Sequence, residues 1–173
     1  MLRMFMFVLA FVTFGIANAE AKDIKVGIIL GFTGPIESLT PDMAAGAELA
    51  FAEASDSGAL LGGSTISVSR ADSTCIDSAA ATTAAEGLVS EGVTAIVGAD
   101  CSGVTGAVLA NVAVPKGVPM ISPSATSPAL TTAEDNGLFF RTAPSDERGG
   151  EVLADITADR GVSSVAITYV NTD

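Results

Sequence analysis

Residues 94–103 read Thr94-Ala95-Ile96-Val97-Gly98-Ala99-Asp100-Cys101-Ser102-Gly103. The apolar run at 95–98 predicts a short buried strand, and the polar residues after it predict a turn into a helix that begins at Ser102 or Gly103. Every residue of the run is apolar or glycine, which is typical of a strand in a parallel sheet that helices cover on both faces. The stretch therefore predicts one strand and one helix of an α/β fold.

The same succession of strand, loop and helix recurs along the chain. Strands are predicted at 23–30, 66–69, 95–98, 118–122, 138–142 and 164–170. Helices are predicted at 41–55, 77–90, 103–114 and 146–160. Thr40 and Asp77 are the predicted N-caps of the first two helices. Because apolar strands alternate with helices, we predict an α/β fold, a three-layer parallel sheet with helices on both faces.

Residues 1–19 have the pattern of a secretory signal peptide. A short basic start at 1–4 is followed by an apolar run at 5–16 and by Ala17-Asn18-Ala19, a small-residue cleavage site. The apolar run is about twelve residues long, which is too short to span a bilayer. We therefore expect a secreted chain whose mature part begins at residue 20.

The composition argues against several classes of function. Twenty acidic residues face eight basic ones, and a chain with this net charge of −12 repels nucleic acid. The chain has no histidine, the commonest general base and metal ligand, and we expect neither a metal nor another cofactor. Cys75 and Cys101 each follow a predicted strand and could form a disulfide in an oxidising compartment. Such a bond has two possible roles: it could stabilise the chain alone, or it could stabilise the chain and support a binding site beside it.

No arrangement typical of an enzyme is complete in this sequence. Ser102 lies at a strand-to-helix turn, as a hydrolase nucleophile does, but the nucleophile elbow needs glycines where Asp100 and Val104 stand. Asp72, Asp77 and Asp100 could form a metal-binding cluster, but their places at helix starts and loop ends favour caps and solvated turns. We therefore predict that the protein is not an enzyme.

Three predicted strand-exit loops are rich in hydroxyl groups and small residues: 33–35, 102–103 and 122–126. The carboxyl ends of parallel strands lie at one edge of a sheet, where helix amino termini offer free N–H groups. Hydroxyl groups add further donors, and this combination suits a small carboxylate without any lysine or arginine. Each of these residues, taken alone, could instead be a helix cap or a turn residue.

The chain resembles the leucine/isoleucine/valine-binding proteins of bacterial ABC importers, which are type I periplasmic binding proteins. The resemblance covers the whole mature chain in order. Its most specific parts are the two cysteines and the run Ser122-Pro123-Ser124-Ala125-Thr126. The matching segments are 26–35, 72–75, 97–102, 120–131 and 140–146.

This resemblance implies two α/β lobes that close on a ligand. Residues 20–143 correspond to the first lobe, and residues 144–173 to the hinge crossover and the incomplete start of the second. A disulfide between the two cysteines is also implied. The implied ligand contacts are Ser102, Ser124, Ala125, Thr126 and, as a side-chain wall in the loop 36–41, Leu39.

We therefore expect a periplasmic substrate-binding protein that captures a branched-chain or related small amino acid. It would deliver this ligand to an ABC transporter permease in the inner membrane. Members of the family carry a full second lobe, so the chain resembles a truncated member. Two alternatives remain: an extracellular sensor domain for amino acids or amides, and a hydrolase that uses Ser102.

Overall fold

Five strands form one parallel sheet in a computed structural model of the chain, which describes residues 22–169. The spatial order of the strands is β2-β1-β3-β4-β5, and all four neighbouring pairs are parallel. The strands are β1 Ile24–Leu30, β2 Ile66–Asp72, β3 Ala95–Gly98, β4 Met120–Ser122 and β5 Phe139–Arg141. The predicted fold class is thereby confirmed, whereas the predicted signal peptide at 1–19 lies outside the described residues.

Helices follow the strands in the order that the sequence predicts. They are α1 Thr40–Asp56, α2 Ser78–Ser90, α3 Ser102–Val108, α4 Val114–Lys116 and α5 Asp146–Asp159. A π turn at Leu109–Ala113 joins α3 to α4, so that residues 102–116 form one helical run. Over residues 22–169, the structure has no helix with the length and hydropathy needed to cross a bilayer.

The two predicted N-caps have different outcomes. Asp77 caps α2 as predicted, because its carboxylate accepts hydrogen bonds from the N–H groups of Ala79 and Ala80, each at 3.0 Å. Thr40 is not a cap; it is the first residue of α1 and is fully buried. Its hydroxyl instead donates to the carbonyl of Gly31 at 3.0 Å, which ties the start of α1 to the exit of β1.

Alternate residues of β1 face opposite layers of helices. Ile28 and Leu30 pack with Ala44 of α1 on one face of the sheet. Ile29 packs on the other face, in the core that includes Leu88 of α2 and Val104 of α3. A strand with a helix layer on each side presents apolar residues to both layers, which explains the apolar run at 26–30. Lys25, near the start of β1, instead donates to the Glu91 carbonyl at 3.1 Å.

The α1 face of the sheet becomes exposed with distance from that helix. Ile28, Val97, Ile121 and Phe140 lie in register across four neighbouring strands. Ile28 is fully buried, whereas Ile121 is 40% and Phe140 57% exposed. A shallow apolar groove of about 240 Å³ lies here, with Phe51 of α1 at its border. The three-layer arrangement is therefore complete over β1 and β2 and open over β4 and β5.

The strand predicted at 164–170 is wrong for the residues that the structure describes. Residues 162–169 form no helix or strand, and Val165, Ile167 and Tyr169 are 63%, 84% and 80% exposed. The preceding helix α5 has no buried residue. The segment has the composition of a strand, but within residues 22–169 no strand pairs with it, so its apolar side chains remain in contact with solvent. Val170 lies outside the described residues.

Candidate functional site

The exits of β1, β2, β3 and β4 meet at the carboxyl edge of the sheet around Asp100, which is 2% exposed. Its side-chain carboxylate contacts the first three exits. Its Oδ2 accepts a hydrogen bond from the Gly31 N–H at 2.6 Å. Its Oδ1 accepts from the Ser73 hydroxyl at 3.0 Å and from the Cys101 N–H at 2.9 Å. The buried carboxyl group thus accepts hydrogen bonds from three donors at three strand exits.

Cys75 and Cys101 form the disulfide that the family resemblance implies, with their Cα atoms 5.2 Å apart. Thr74 and Cys75 have φ values of 58° and 68°, in the left-handed region that costs non-glycine residues of order 1–3 kcal/mol. Asp72 supports this turn, because its carboxylate accepts from the Thr74 N–H at 2.8 Å. Gly34 passes close beside the turn: a Cβ on Gly34 would lie 2.5 Å from the Thr74 carbonyl oxygen.

The structure brings Ser102 and Ser124 to this edge, and both are partly exposed. Ser102 begins α3, and its hydroxyl oxygen accepts from the Ser127 N–H at 3.1 Å. The Ser124 hydroxyl donates to the Asp100 carbonyl at 3.1 Å. Two hydrogen bonds therefore join the loop after β4 to the exit of β3. Because the first N–H groups of a helix have no partner within it, the start of α3 adds donors beside these hydroxyls.

Thr126 lies in the same loop and contacts the start of α5. Its hydroxyl donates to Oδ2 of Asp146 at 2.8 Å, and the Asp146 N–H donates to the Thr126 carbonyl at 3.0 Å. Asp146 is not among the site residues that the sequence predicts. The available signal is its place at the end of the matching segment 140–146, which begins within the short strand β5.

The other two predicted contacts differ in accessibility. Leu39 is 55% exposed just before α1, so its side chain is accessible from solvent. Ala125 is fully buried, its N–H donates to the Ser122 hydroxyl oxygen at 2.9 Å, and its carbonyl accepts from Arg141. A ligand contact at Ala125 is therefore not supported by its surroundings, which give it a structural role in the loop.

Arg141 of β5 holds the loop that carries these residues. Its guanidinium donates to the Ser127 carbonyl at 2.9 Å and to the Thr131 hydroxyl at 2.6 Å. A groove of about 380 Å³ lies between this loop and the start of α3. Its lining comprises Ser102, Gly103, Gly106, Ser127, Ala129, Leu130 and Ala133.

The hydroxyl of the first predicted loop has a protein partner. Thr33 Oγ1 donates to Oδ2 of Asp72 at 2.6 Å. Burial raises the pKa of Asp72, but hydrogen bonds from Thr33, Thr74 and Phe32 outweigh it and leave the pKa below its usual value of 3.8. Asp72, Asp77 and Asp100 thus each accept hydrogen bonds from the protein. In the described part of the chain, no group of His, Cys, Asp or Glu could hold a metal ion.

The lowered pKa of Asp72 predicts acid sensitivity. A carboxyl whose pKa is lower in the folded state contributes stability above its unfolded pKa, and this contribution is lost as the pH falls through the folded value. We expect Thr33→Val to raise the pKa of Asp72 part of the way toward 3.8. The variant should then lose less stability than the parent chain on acidification below about pH 4. NMR titration of the Asp72 carboxyl measures the shift, and an unchanged titration in Thr33→Val would contradict this account.

The chain folds into an α/β domain with a polar edge, and a comparison of the sequence with protein families gives its class. The family described as periplasmic binding protein matches residues 23–173. The chain therefore belongs to the periplasmic binding protein family, as the sequence resemblance predicts.

The chain is similar to three proteins whose names or bound ligands are known. The Leu/Ile/Val-binding protein homolog 3 of Brucella melitensis is 32% identical over 145 residues, covering 83% of this chain and 38% of the relative. The branched-chain amino acid transporter substrate binding protein LivJ from Streptococcus pneumoniae, in complex with isoleucine, superposes with a TM-score of 0.71 at 32% identity. That match covers 80% of this chain and 39% of LivJ. A solute binding protein of an ABC transporter from R. palustris, in complex with benzoate, superposes with a TM-score of 0.69 at 28% identity. That match covers 81% of this chain and 38% of the solute binding protein. The chain thus spans about two fifths of the length of each relative.

Proposed function

We propose that this chain is the amino-terminal part of a substrate-binding protein of an ABC importer, and that it captures a branched-chain or related small amino acid in the periplasm. The observation that supports this most is the grouping of Ser102, Ser124 and Thr126 at one edge of the sheet, with the carboxylate of Asp146 beside them. The relatives whose names mention leucine, isoleucine and valine support the choice of ligand.

The proposed site has two electrostatically different ends. The ligand carboxylate would lie at the start of α3, where the Ser102 hydroxyl, free helix N–H groups and the Ser124 N–H act as donors. The Ser124 N–H is 3.4 Å from the Ser122 hydroxyl oxygen, a long contact that leaves it available to a stronger acceptor. The ligand ammonium would lie near Thr126 and Asp146. Such an arrangement suits a zwitterion, because each charge meets a complementary partner.

The chain's own residues favour binding over catalysis. The Ser102 hydroxyl oxygen accepts a backbone hydrogen bond from Ser127, and the chain has no histidine to act as its general base. Residues 20–143 would be the first lobe, and residues 144–173 the crossover into the second. Closure of two lobes on the ligand would then create the form that a membrane permease recognises.

The experiment that tests this function is a titration with isoleucine and, separately, with benzoate, followed through the amide resonances of Ser102, Ser124 and Thr126. We expect isoleucine to shift all three. We expect Thr126→Val and Asp146→Asn each to weaken isoleucine binding about tenfold or more, because a hydrogen bond to a charged group contributes roughly 1.5–3 kcal/mol. Benzoate lacks an ammonium, so its binding should be unaffected by Asp146→Asn.

Thr83→Val is a matched control, since Thr83 is an exposed threonine of α2 whose hydroxyl donates to Ala79 at 3.0 Å. It should leave isoleucine binding unchanged. Wild-type affinity in both Thr126→Val and Asp146→Asn would refute the proposed ammonium site. Absence of any response to isoleucine in the parent chain would refute the proposed function of this chain.

A further inference from the structure

The hydrogen bonds of Asp100 reach all four strand exits at the candidate site. Its side chain contacts Gly31 after β1 and Ser73 after β2, and it lies itself after β3. Its main-chain carbonyl accepts from Ser124 after β4. The residue is thus two positions before Ser102 in sequence and one hydrogen bond away from Ser124.

The disulfide braces only two of these exits. Cys75 lies after β2 and Cys101 after β3. The same two loops are also joined by a chain of hydrogen bonds. The Cys75 N–H contacts the Ser73 hydroxyl oxygen at 3.4 Å, the Ser73 hydroxyl donates to Asp100, and Asp100 accepts from the Cys101 N–H. If the disulfide is opened, this second connection remains.

A carboxylate is well suited to fix such an edge. It presents two oxygens that only accept hydrogen bonds, so three donors from different loops can converge on it, and its charge strengthens each bond in a buried site. The contacts are also close: a Cβ added to Gly31 would lie 3.2 Å from Asp100 Oδ2 and 3.3 Å from the Cβ of Cys75. The loop after β1 is therefore held directly against Asp100.

We propose that Asp100 is the positioning residue of the ligand edge, and that the disulfide stabilises the fold without setting the geometry of the site. The inference rests on the proposed function for its ligand, because Asp100 is buried and acts through Gly31, Ser102 and Ser124. Of the two roles that the sequence allows for the disulfide, this proposal keeps stabilisation of the fold and assigns support of the site to Asp100.

The test separates affinity from stability. Asp100→Asn keeps the size of the side chain, but in either orientation its amide nitrogen faces a backbone N–H, that of Gly31 or that of Cys101. We expect the dissociation constant for isoleucine to rise at least fivefold in this variant and the Gly31, Ser102 and Ser124 amide resonances to move. Chemical reduction of the parent chain should lower its melting temperature, change the dissociation constant less than twofold and leave the Ser102 and Ser124 resonances in place.

Two further variants keep the result interpretable. Asp77→Ala removes the α2 cap and should lower stability with no change in affinity, which excludes general destabilisation as the cause. Ser73→Ala removes a single neutral hydrogen-bond donor to Asp100, so we expect it to fold even if Asp100→Asn does not. It should weaken isoleucine binding two- to threefold.

Unchanged affinity of Asp100→Asn for isoleucine would overturn the proposal. If Asp100→Asn does not fold, unchanged affinity of Ser73→Ala for isoleucine would overturn it. A loss of affinity on reduction as large as in Asp100→Asn would also overturn it. If isoleucine does not bind the parent chain, the proposed function fails separately. The positioning role of Asp100 is then judged by the amide resonances of Ser102 and Ser124. If these resonances move on reduction but not in Asp100→Asn, the positioning role is rejected.

Discussion

Gly98→Ala is expected to destabilise the folded chain severely. Gly98 has φ of 125°, a conformation that side chains rarely adopt, and it lies in register with Ile29 of the central strand β1. A Cβ at this position would overlap the Ile29 carbonyl oxygen. The overlap is with the main chain of a fully buried strand, so no rotation of a side chain can relieve it. Backbone strain together with displacement of β1 should cost about 4 kcal/mol or more.

Thermal and denaturant unfolding, monitored by circular dichroism, measure this effect. A loss of about 4 kcal/mol is a large fraction of the 5–15 kcal/mol that stabilises a typical domain. Gly46→Ala is the matched control, because Gly46 lies inside α1 and a Cβ there would have no neighbour within 4 Å. The control should be stabilised by about 0.5–1 kcal/mol, since alanine favours a helix over glycine. A Gly98→Ala chain with parental stability would contradict the described approach of β3 to β1.

Loss of the disulfide is expected to have the second largest effect on stability. Cys75 and Cys101 are separated by 26 residues, and the chain-entropy relation gives about 3.5 kcal/mol for closing a loop of that length. Opening the bond also removes the covalent restraint on the left-handed turn at Thr74 and Cys75. We expect a Cys75→Ala, Cys101→Ala double variant to unfold at a clearly lower denaturant concentration than the oxidised parent chain.

Reduction of the parent chain should reproduce most of this loss, and reduction of the double variant should change nothing. The variant thereby controls for effects of the reductant on other parts of the molecule. Identical unfolding of the parent chain with and without reductant would show that the bond contributes no stability.

The features that the sequence predicts correctly are local. The strand at 95–98 and the cap at Asp77 follow from patterns within a few residues, and the structure has both. The positions of the two cysteines after predicted strands allow a disulfide, and the resemblance to a family implies it. The strand predicted at 164–170 failed because strand formation needs a partner, and composition does not reveal whether one is available.

The features that the sequence does not predict depend on contacts between distant residues. Asp100 and Gly31 are 69 residues apart, and Thr126 and Asp146 are 20 apart. From the sequence alone, Asp100 is one of three aspartates at helix starts and loop ends, and Asp146 is the first residue of a predicted helix. Only the folded arrangement shows that one carboxylate is enclosed by three strand exits while the other lies at the surface beside Thr126. Nothing in the local sequence distinguishes their roles.

The open sheet face over β4 and β5 affects how any measured stability should be interpreted. Ile121 and Phe140 are 40% and 57% exposed there, although strands of a parallel sheet are normally covered on both sides. Each square ångström of apolar surface that a further layer removed from water would add roughly 25 cal/mol. The unfolding free energy of this chain on its own is therefore a lower bound for the same sheet with that layer in place.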